Sequence, residues 1–333
     1  MAVNRFTVAV LVAVVLHASV ARSQPMTVEA AQTAGYSTEE IAAVATQLRA
    51  FGELTPARVR FNVDAAWGTR SAGGSDVFGT AYPYEGPLQI IEAYGERTFL
   101  PGRALFGVKA GRYRTPFGIS SASDHAYLGF MRAPLIRYDD YFALSNTFLE
   151  HGVDLIAGTP HLSLEASVGV PGDVGESIRR PGLNTVLRGQ TAFGAMIVGV
   201  SRITTQPYQN PRFAHGDTVF NGIDVRWMRD GVQARGEWID GRPFDGTTTT
   251  GGYLDLIVHR PRMGPVTAVA RAERLFYDAA PPFAMAVRRY TAGTRIRIID
   301  QLAAQVALVH QSRQIPQRRP TALDLALTYS LRR

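Results

Sequence analysis

Cysteine is absent from the 333 residues, and lysine occurs once, as Lys109, so all but one of the 35 basic residues are arginine. A chain of this length that is 46% hydrophobic needs no disulfide framework to hold a core, and the lack of thiols suits any oxidising compartment. Long apolar runs are equally scarce. Only Val8 to Leu16, at the extreme N-terminus, qualifies, and mean hydropathy is -0.04. A membrane protein built of helices is therefore excluded, whereas a barrel, which hides its apolar content by alternation, is not. Metal-ligand spacings, a phosphate loop and a nucleophile elbow are missing too, so no cofactor and no metal is expected.

The N-terminus reads as an export signal. Arg5, the apolar run, and Ala21-Arg22-Ser23 before Gln24 predict a secretory signal peptide over residues 1–23. Its removal takes Arg5 and Arg22 from a formal net charge of +7. From Thr27 to Leu54 the spacing is helical: Ser37 and Glu40 form a capping box, and Ile41, Val44, Leu48 and Phe51 make one stripe ending at Gly52. Residues 24–57 are thus expected to be a helical, periplasmic segment.

Beyond that segment the chain reads as strand. The last stretch, TALDLALTYSLRR, places Leu323, Leu325, Leu327, Tyr329 and Leu331 on one face and Asp324, Ala326, Thr328, Ser330 and Arg332 on the other, because strand side chains alternate with period two. A soluble sandwich also contains such strands. Here, however, the pattern recurs from Arg58 onward, giving about 14 strands, or about 16 if a long loop conceals a hairpin. Tight turns such as Gly158-Thr159-Pro160 and Asp230-Gly231 alternate with long polar loops, the asymmetry of an outer-membrane barrel. The fold class is therefore all-β, a transmembrane antiparallel β-barrel over residues 58–333 whose last strand pairs with its first. Apolar faces such as Leu162, Leu164, Ala166, Val168 and Val170 carry no charge. The opposite faces carry Glu165, Asp224, Arg226, Arg235, Glu237, Arg271, Glu273, Arg295 and Arg297 and line water. Trp67, Tyr94, Tyr113, Trp227, Trp238, Phe276, Tyr290 and Tyr329, near strand ends, are expected to form interfacial girdles.

The run Ala104-Leu105-Phe106-Gly107-Val108-Lys109-Ala110-Gly111-Arg112-Tyr113-Arg114-Thr115-Pro116-Phe117-Gly118 resembles a strand and turn of the phosphate-selective porin O/P family of outer-membrane channels. Ser145-Asn146, His151-Gly152-Val153-Asp154-Leu155, Gly169-Val170-Pro171-Gly172 and Ala270-Arg271-Ala272-Glu273-Arg274 are similar to that family in order and spacing. The chain departs from it by ending in Arg333 instead of an aromatic residue, with Tyr329 inside the last strand. The resemblance implies a homotrimeric, water-filled barrel that passes small anionic or polar solutes across an outer membrane of Gram-negative type. It also implies a constriction loop folded into the lumen, located at residues 119–146, which carry Arg132, Arg137, Asp139 and Asp140. The candidate pore-lining residues are Lys109, Arg132, Arg137, Arg226, Arg235, Arg271, Glu273, Arg295 and Arg297. An arginine excess there favours anions, unless each arginine is neutralised by a cross-strand acid, as the nearness of Arg271 to Glu273 suggests. Strict alternation puts Arg112 and Arg114 opposite to Lys109 unless the strand bulges near Gly111.

Two rival readings compete with a porin, the first being a barrel hydrolase using Asp124-His125 or His151 with Asp154, since a histidine oriented by a carboxylate is a general base. The other is a non-conducting structural barrel. Nucleic acid is not an expected partner, because the arginines are interleaved with acids and form no single patch.

Overall fold

Alternation at this density leaves each strand with one apolar and one polar face, and such strands must curl until the polar faces meet inside. The computed structural model describes residues 26–54, 57–71, 86–119, 130–137, 149–171, 182–205, 218–242, 248–278, 285–312 and 320–332. The predicted signal peptide lies outside them. The strands are β1 (Met26–Ser37), β2 (Ile41–Leu54), β3 (Val59–Arg70), β4 (Gly86–Phe99), β5 (Leu105–Arg114), β6 (Leu149–Gly158), β7 (Leu162–Pro171) and β8 (Asn184–Phe193), followed by β9 (Met196–Thr205), β10 (Thr218–Arg229), β11 (Val232–Arg242), β12 (Thr248–Val258), β13 (Val266–Asp278), β14 (Met285–Ile299), β15 (Leu302–Gln311) and β16 (Thr321–Arg332). Each pairs antiparallel with its sequence neighbours, and β1 pairs with β16 to close the barrel. No strand is left as an edge, so every ladder has a partner on both sides, as hydrocarbon surroundings require.

The strand faces divide as the sequence implied. On β16, Leu325, Leu327 and Tyr329 are exposed on the outside, while Asp324, Ala326 and Thr328 are buried inside. The exposed outer set continues around the barrel through Leu155, Leu164, Leu187, Ile223, Leu254 and Leu308. A continuous apolar surface of this extent exceeds what a water-soluble monomer tolerates and matches a lipid-facing band. Trp67, Trp238, Phe276, Tyr290 and Tyr329 are exposed, in keeping with a girdle. Tyr113 is not part of it: it is buried and bonded to Ser167 and Glu150.

The predicted helix over residues 24–57 is corrected. Its residues form β1 and β2, hydrogen-bonded to each other in continuous register from Met26↔Gly52 to Ser37↔Ile41. The supposed stripe mixes faces: Ile41 is buried inside, whereas Leu48 is exposed outside. The capping box is a hairpin turn in which the Glu40 N–H bonds to the Ser37 carbonyl at 2.9 Å. Alanines at 42, 43, 45 and 50 favour a helix locally, but closing the sheet satisfies two whole rows of backbone groups, and that dominates. These two strands raise the sequence count to sixteen, and β1, not Val59–Arg70, is the partner of the last strand.

The longest connections share one end, together with the tight turn between β1 and β2. Gly194-Ala195, Asp230-Gly231 and Asp300-Gln301 join strands at one end, and residues 71–85, 115–148 and 206–217 connect them at the other. Across β5, β6 and β7 three glycines stand side by side, Gly111↔Gly152↔Gly169. A Cβ on Gly152 would collide with the Val168 oxygen and sit 2.6 Å from the Gly169 Cα, both backbone atoms. Gly152→Val is expected to destabilise the barrel by about 1–3 kcal/mol through overpacking. A lowered temperature for the gel shift of the folded barrel in detergent would register it, and an unchanged temperature would refute the role of the glycine row.

Candidate functional site

The described parts of the β5–β6 connection pack against the inner wall of the barrel. Phe117, Ile119, Leu135 and Ile136 are buried against inward residues of successive wall strands, among them Val186, Ile203, Phe220, Tyr253 and Leu275. This apolar patch on the inside of a polar barrel seats the segment. Met131 packs with Ile41, Ala43, Ala307 and Ala326, and Phe130 with Ile257 and Val269.

Charged wall residues hold the segment in place. Ser201 Oγ accepts from the Gly118 N–H at 3.0 Å, and Arg188 donates to the Gly118 carbonyl. Glu237 accepts from the Ile119 N–H at 3.3 Å, and Glu273 from the Leu135 N–H at 2.8 Å. Arg271 donates to the Arg132 carbonyl at 2.9 Å, and Arg289 to the Ala133 carbonyl. The Arg132 side chain itself grips Asp324 through two bonds of 2.7 and 2.9 Å and reaches Glu39 at 3.1 Å. Bidentate guanidinium–carboxylate pairs of this kind fix direction as well as distance.

A ladder of ion pairs lines the same wall. Asp255 receives both Arg235, at 2.9 Å, and Arg271, at 2.5 and 2.9 Å. Glu273 receives Arg289 at 2.6 and 3.0 Å, and Asp224 receives Arg188 at 3.0 Å. Lys109 bonds to Asp154 at 2.8 Å between the rings of Tyr94 and Tyr113. Arg226 is different. It donates at 2.6 Å to the neutral amide oxygen of Gln190. Lys109, Arg114, Glu165, Arg188, Arg226 and Arg235 surround a lumenal cavity of about 410 Å³ beside Thr115 and Gly118.

Among the sequence-predicted residues, Lys109, Arg226 and Arg235 meet at this cavity. Arg132, Arg271 and Glu273 also lie inside the barrel, but each is buried against or within the inward segment instead of facing open water. Arg295 and Arg297 share the inward face of β14 nearer its short-connection end. Arg137 ends the 3-10 turn Leu135–Arg137. Asp139 and Asp140 lie outside the described residues. Neutralisation by cross-strand acids does occur, with other partners than Arg271 and Glu273 for each other: Arg271 is held by Asp255 on the neighbouring strand, and Glu273 holds Arg289.

Sequence reasoning missed Arg188, Arg289 and Asp255 and left the side of Arg114 open. Parity carries the signal for the first three, since Arg188 follows Val186 and Arg289 follows Val287 on inward faces. The bulge near Gly111 is not there, since the register of β5 runs without a shift through that residue; Arg114, the last residue of β5, pairs with Glu92 at 3.3 Å, while Arg112 stays outside, 2.9 Å from His151. This corrects the hydrolase reading. His151 is exposed on the outer face and Asp154 is buried on the inner one, so no carboxylate–histidine dyad forms there. Asp124 and His125 lie outside the described residues.

No family model matches the sequence, and no curated protein matches it either. Solved structures do match in fold. OmpF of Salmonella typhi, in a complex with daunomycin, has a TM-score of 0.68 at 8% identity, covering 92% of this chain and 97% of that one. The trimer form of OmpT, an outer membrane protein of Vibrio cholerae, has a TM-score of 0.58 at 9% identity over 93% and 99%. A five-site mutant of the Rh. blastica porin has a TM-score of 0.50 at 12% identity over 93% and 100%. At such identities the likeness is one of fold: a closed porin-type barrel.

Proposed function

We propose that this chain is an outer-membrane porin through which small solutes diffuse, exported by the signal at residues 1–23, assembled as a homotrimer and selective for anions, phosphate among them. The fold likeness to porins supports the channel, and one of those neighbours is described as a trimer. The anion preference rests on one observation. At the cavity beside the inward segment, Lys109, Arg114, Arg188 and Arg235 are each held by a carboxylate, whereas Arg226 is bonded there to a neutral partner and carries the positive charge on which the preference rests. Positive charge in a narrow passage with low-dielectric walls concentrates anions. The long-connection end faces the exterior, following the general asymmetry of such barrels.

The test is a reversal potential across a planar bilayer under a KCl gradient. Native protein is expected to prefer chloride. A unit charge at 4 Å contributes about 1 kcal/mol even in water, with opposite sign for anion and cation, so Arg226→Ala should lower the anion-to-cation permeability ratio by at least about fivefold, and Arg226→Glu further. Cation preference in the native channel, or a ratio unmoved by Arg226→Glu, overturns the assignment.

A further inference from the structure

The outer face of the barrel carries one feature that conduction does not use. Arg274 on β13 and Arg288 on β14 stand directly opposite each other, and both are exposed. They point outward, because Leu275 and Val287, one position along each strand, are buried inside. Like charges placed directly opposite across a ladder repel. Their inward counterparts on the same two strands, Arg271 and Arg289, each hold a carboxylate. Arg274 and Arg288 make no side-chain ion pair or hydrogen bond among the described residues. On β13 the next outward carboxylate, Asp278, is separated from Arg274 by the ring of Phe276.

The surroundings are apolar and grooved. Ile223, Trp238, Leu254, Ala272 and Tyr290 border, with the two arginines, an outer groove of about 610 Å³. Gly252, the register partner of Arg274, lets the groove reach strand backbone. A Cβ there would meet the Trp238 ring at 2.6 Å. Exposed Trp238 and Tyr290 are residues of the membrane interface. Arg274 is four positions from the long-connection end of β13, within reach of a side chain that snorkels toward headgroups.

We propose that this groove is a binding site for a lipid with a phosphate-bearing headgroup, the phosphate clamped between Arg274 and Arg288 and an acyl chain lying along Ala272 and Leu254. Two guanidinium forks supply the planar donors that phosphate oxygens accept, and an anion between them removes their repulsion. A neutral lipid satisfies the apolar floor but not the arginines. Free phosphate does the reverse.

The inference rests on the outer face lying in a membrane, and the experiment separates it from the porin assignment. Native mass spectrometry of the folded barrel in detergent is read with dipalmitoyl phosphatidic acid, dipalmitoylglycerol and inorganic phosphate as probes. Phosphatidic acid is expected to bind, and Arg274→Gln with Arg288→Gln to weaken it roughly tenfold or more. Arg274→Lys with Arg288→Lys retains part of the binding. Should the double glutamine variant fail to fold, Arg288→Gln alone is read in the same way. Equal binding by the glutamine variants, equal binding of dipalmitoylglycerol, or binding of inorganic phosphate as tight as that of the lipid overturns the proposal. A barrel that conducts chloride without binding the lipid sinks this inference alone, whereas one that binds the lipid without conducting sinks only the channel.

Discussion

Alanine at Asp255 is expected to destabilise the barrel by about 3–5 kcal/mol, because it removes the carboxylate shared by two buried guanidinium groups. Arg235 and Arg271 are 4% and 3% exposed, and both depend on that carboxylate. Arg271 retains the Arg132 carbonyl and its stacking on Phe130 at 4.0 Å, which is why the loss is not larger. Asp255→Asn keeps the shape without the charge and is expected to fall between. The readout is the temperature at which the detergent-gel band shifts from folded to unfolded. Breaking the pair of Arg60 with Glu96, whose arginine side chain is 58% exposed, serves as comparison and should cost less than about 1 kcal/mol. Equal shifts for the two variants would show that burial does not set the value of these pairs.

Glu273→Ala is expected to act on the passage as well as on stability. Its carboxylate holds both the Leu135 N–H and Arg289, which is fully buried. Removing it takes the Glu273 carboxylate away from a buried guanidinium, at about 3–5 kcal/mol, and loosens one tie of the inward segment to the wall. Single-channel conductance should rise and its noise increase, since a segment held less firmly against the wall widens and blurs the passage. Glu273→Gln, which still accepts from Leu135, should restore quiet gating in part. A native conductance in Glu273→Ala would mean that the apolar seat around Ile136 suffices to hold the segment.

Much of this architecture was legible because β-strand parity is unforgiving: a one-residue slip sends every side chain to the wrong solvent. The outward leucines of β16 and the inward Asp324 were readable from seven consecutive residues. The first hairpin was not, since its small residues suit helix and strand alike, and only its pairing with a distant partner decides. Parity also assigned Lys109, Arg226 and Arg235 to the inside. It did not reveal which of the inward charges face open space. Arg271 and Glu273 are covered by a segment whose path depends on Phe117 and Ile136 finding an apolar seat assembled from several separate strands, and that convergence leaves no trace in local spacing. Irregularity was a further obstacle: the register of β3 shifts between Asp64 and Ala65, where simple alternation fails.

The seam between β1 and β16 sets the order in which the molecule can be built. Thr33 and Thr328 share a hydrogen bond across 295 residues of chain, and Ser37 bonds to Asp324 across 287. Every other ladder joins strands adjacent in sequence, so each hairpin can form as soon as its own residues are available. The seam must wait for the whole chain and carries the longest loop closure of all. Until it forms, two rows of amide and carbonyl groups lie open, and an intermediate of that kind is not tolerated in hydrocarbon. Joining the ends thus completes the ladders that hydrocarbon surroundings require, and Asp324, which ties the seam to the inward segment through Arg132, lies at that joint.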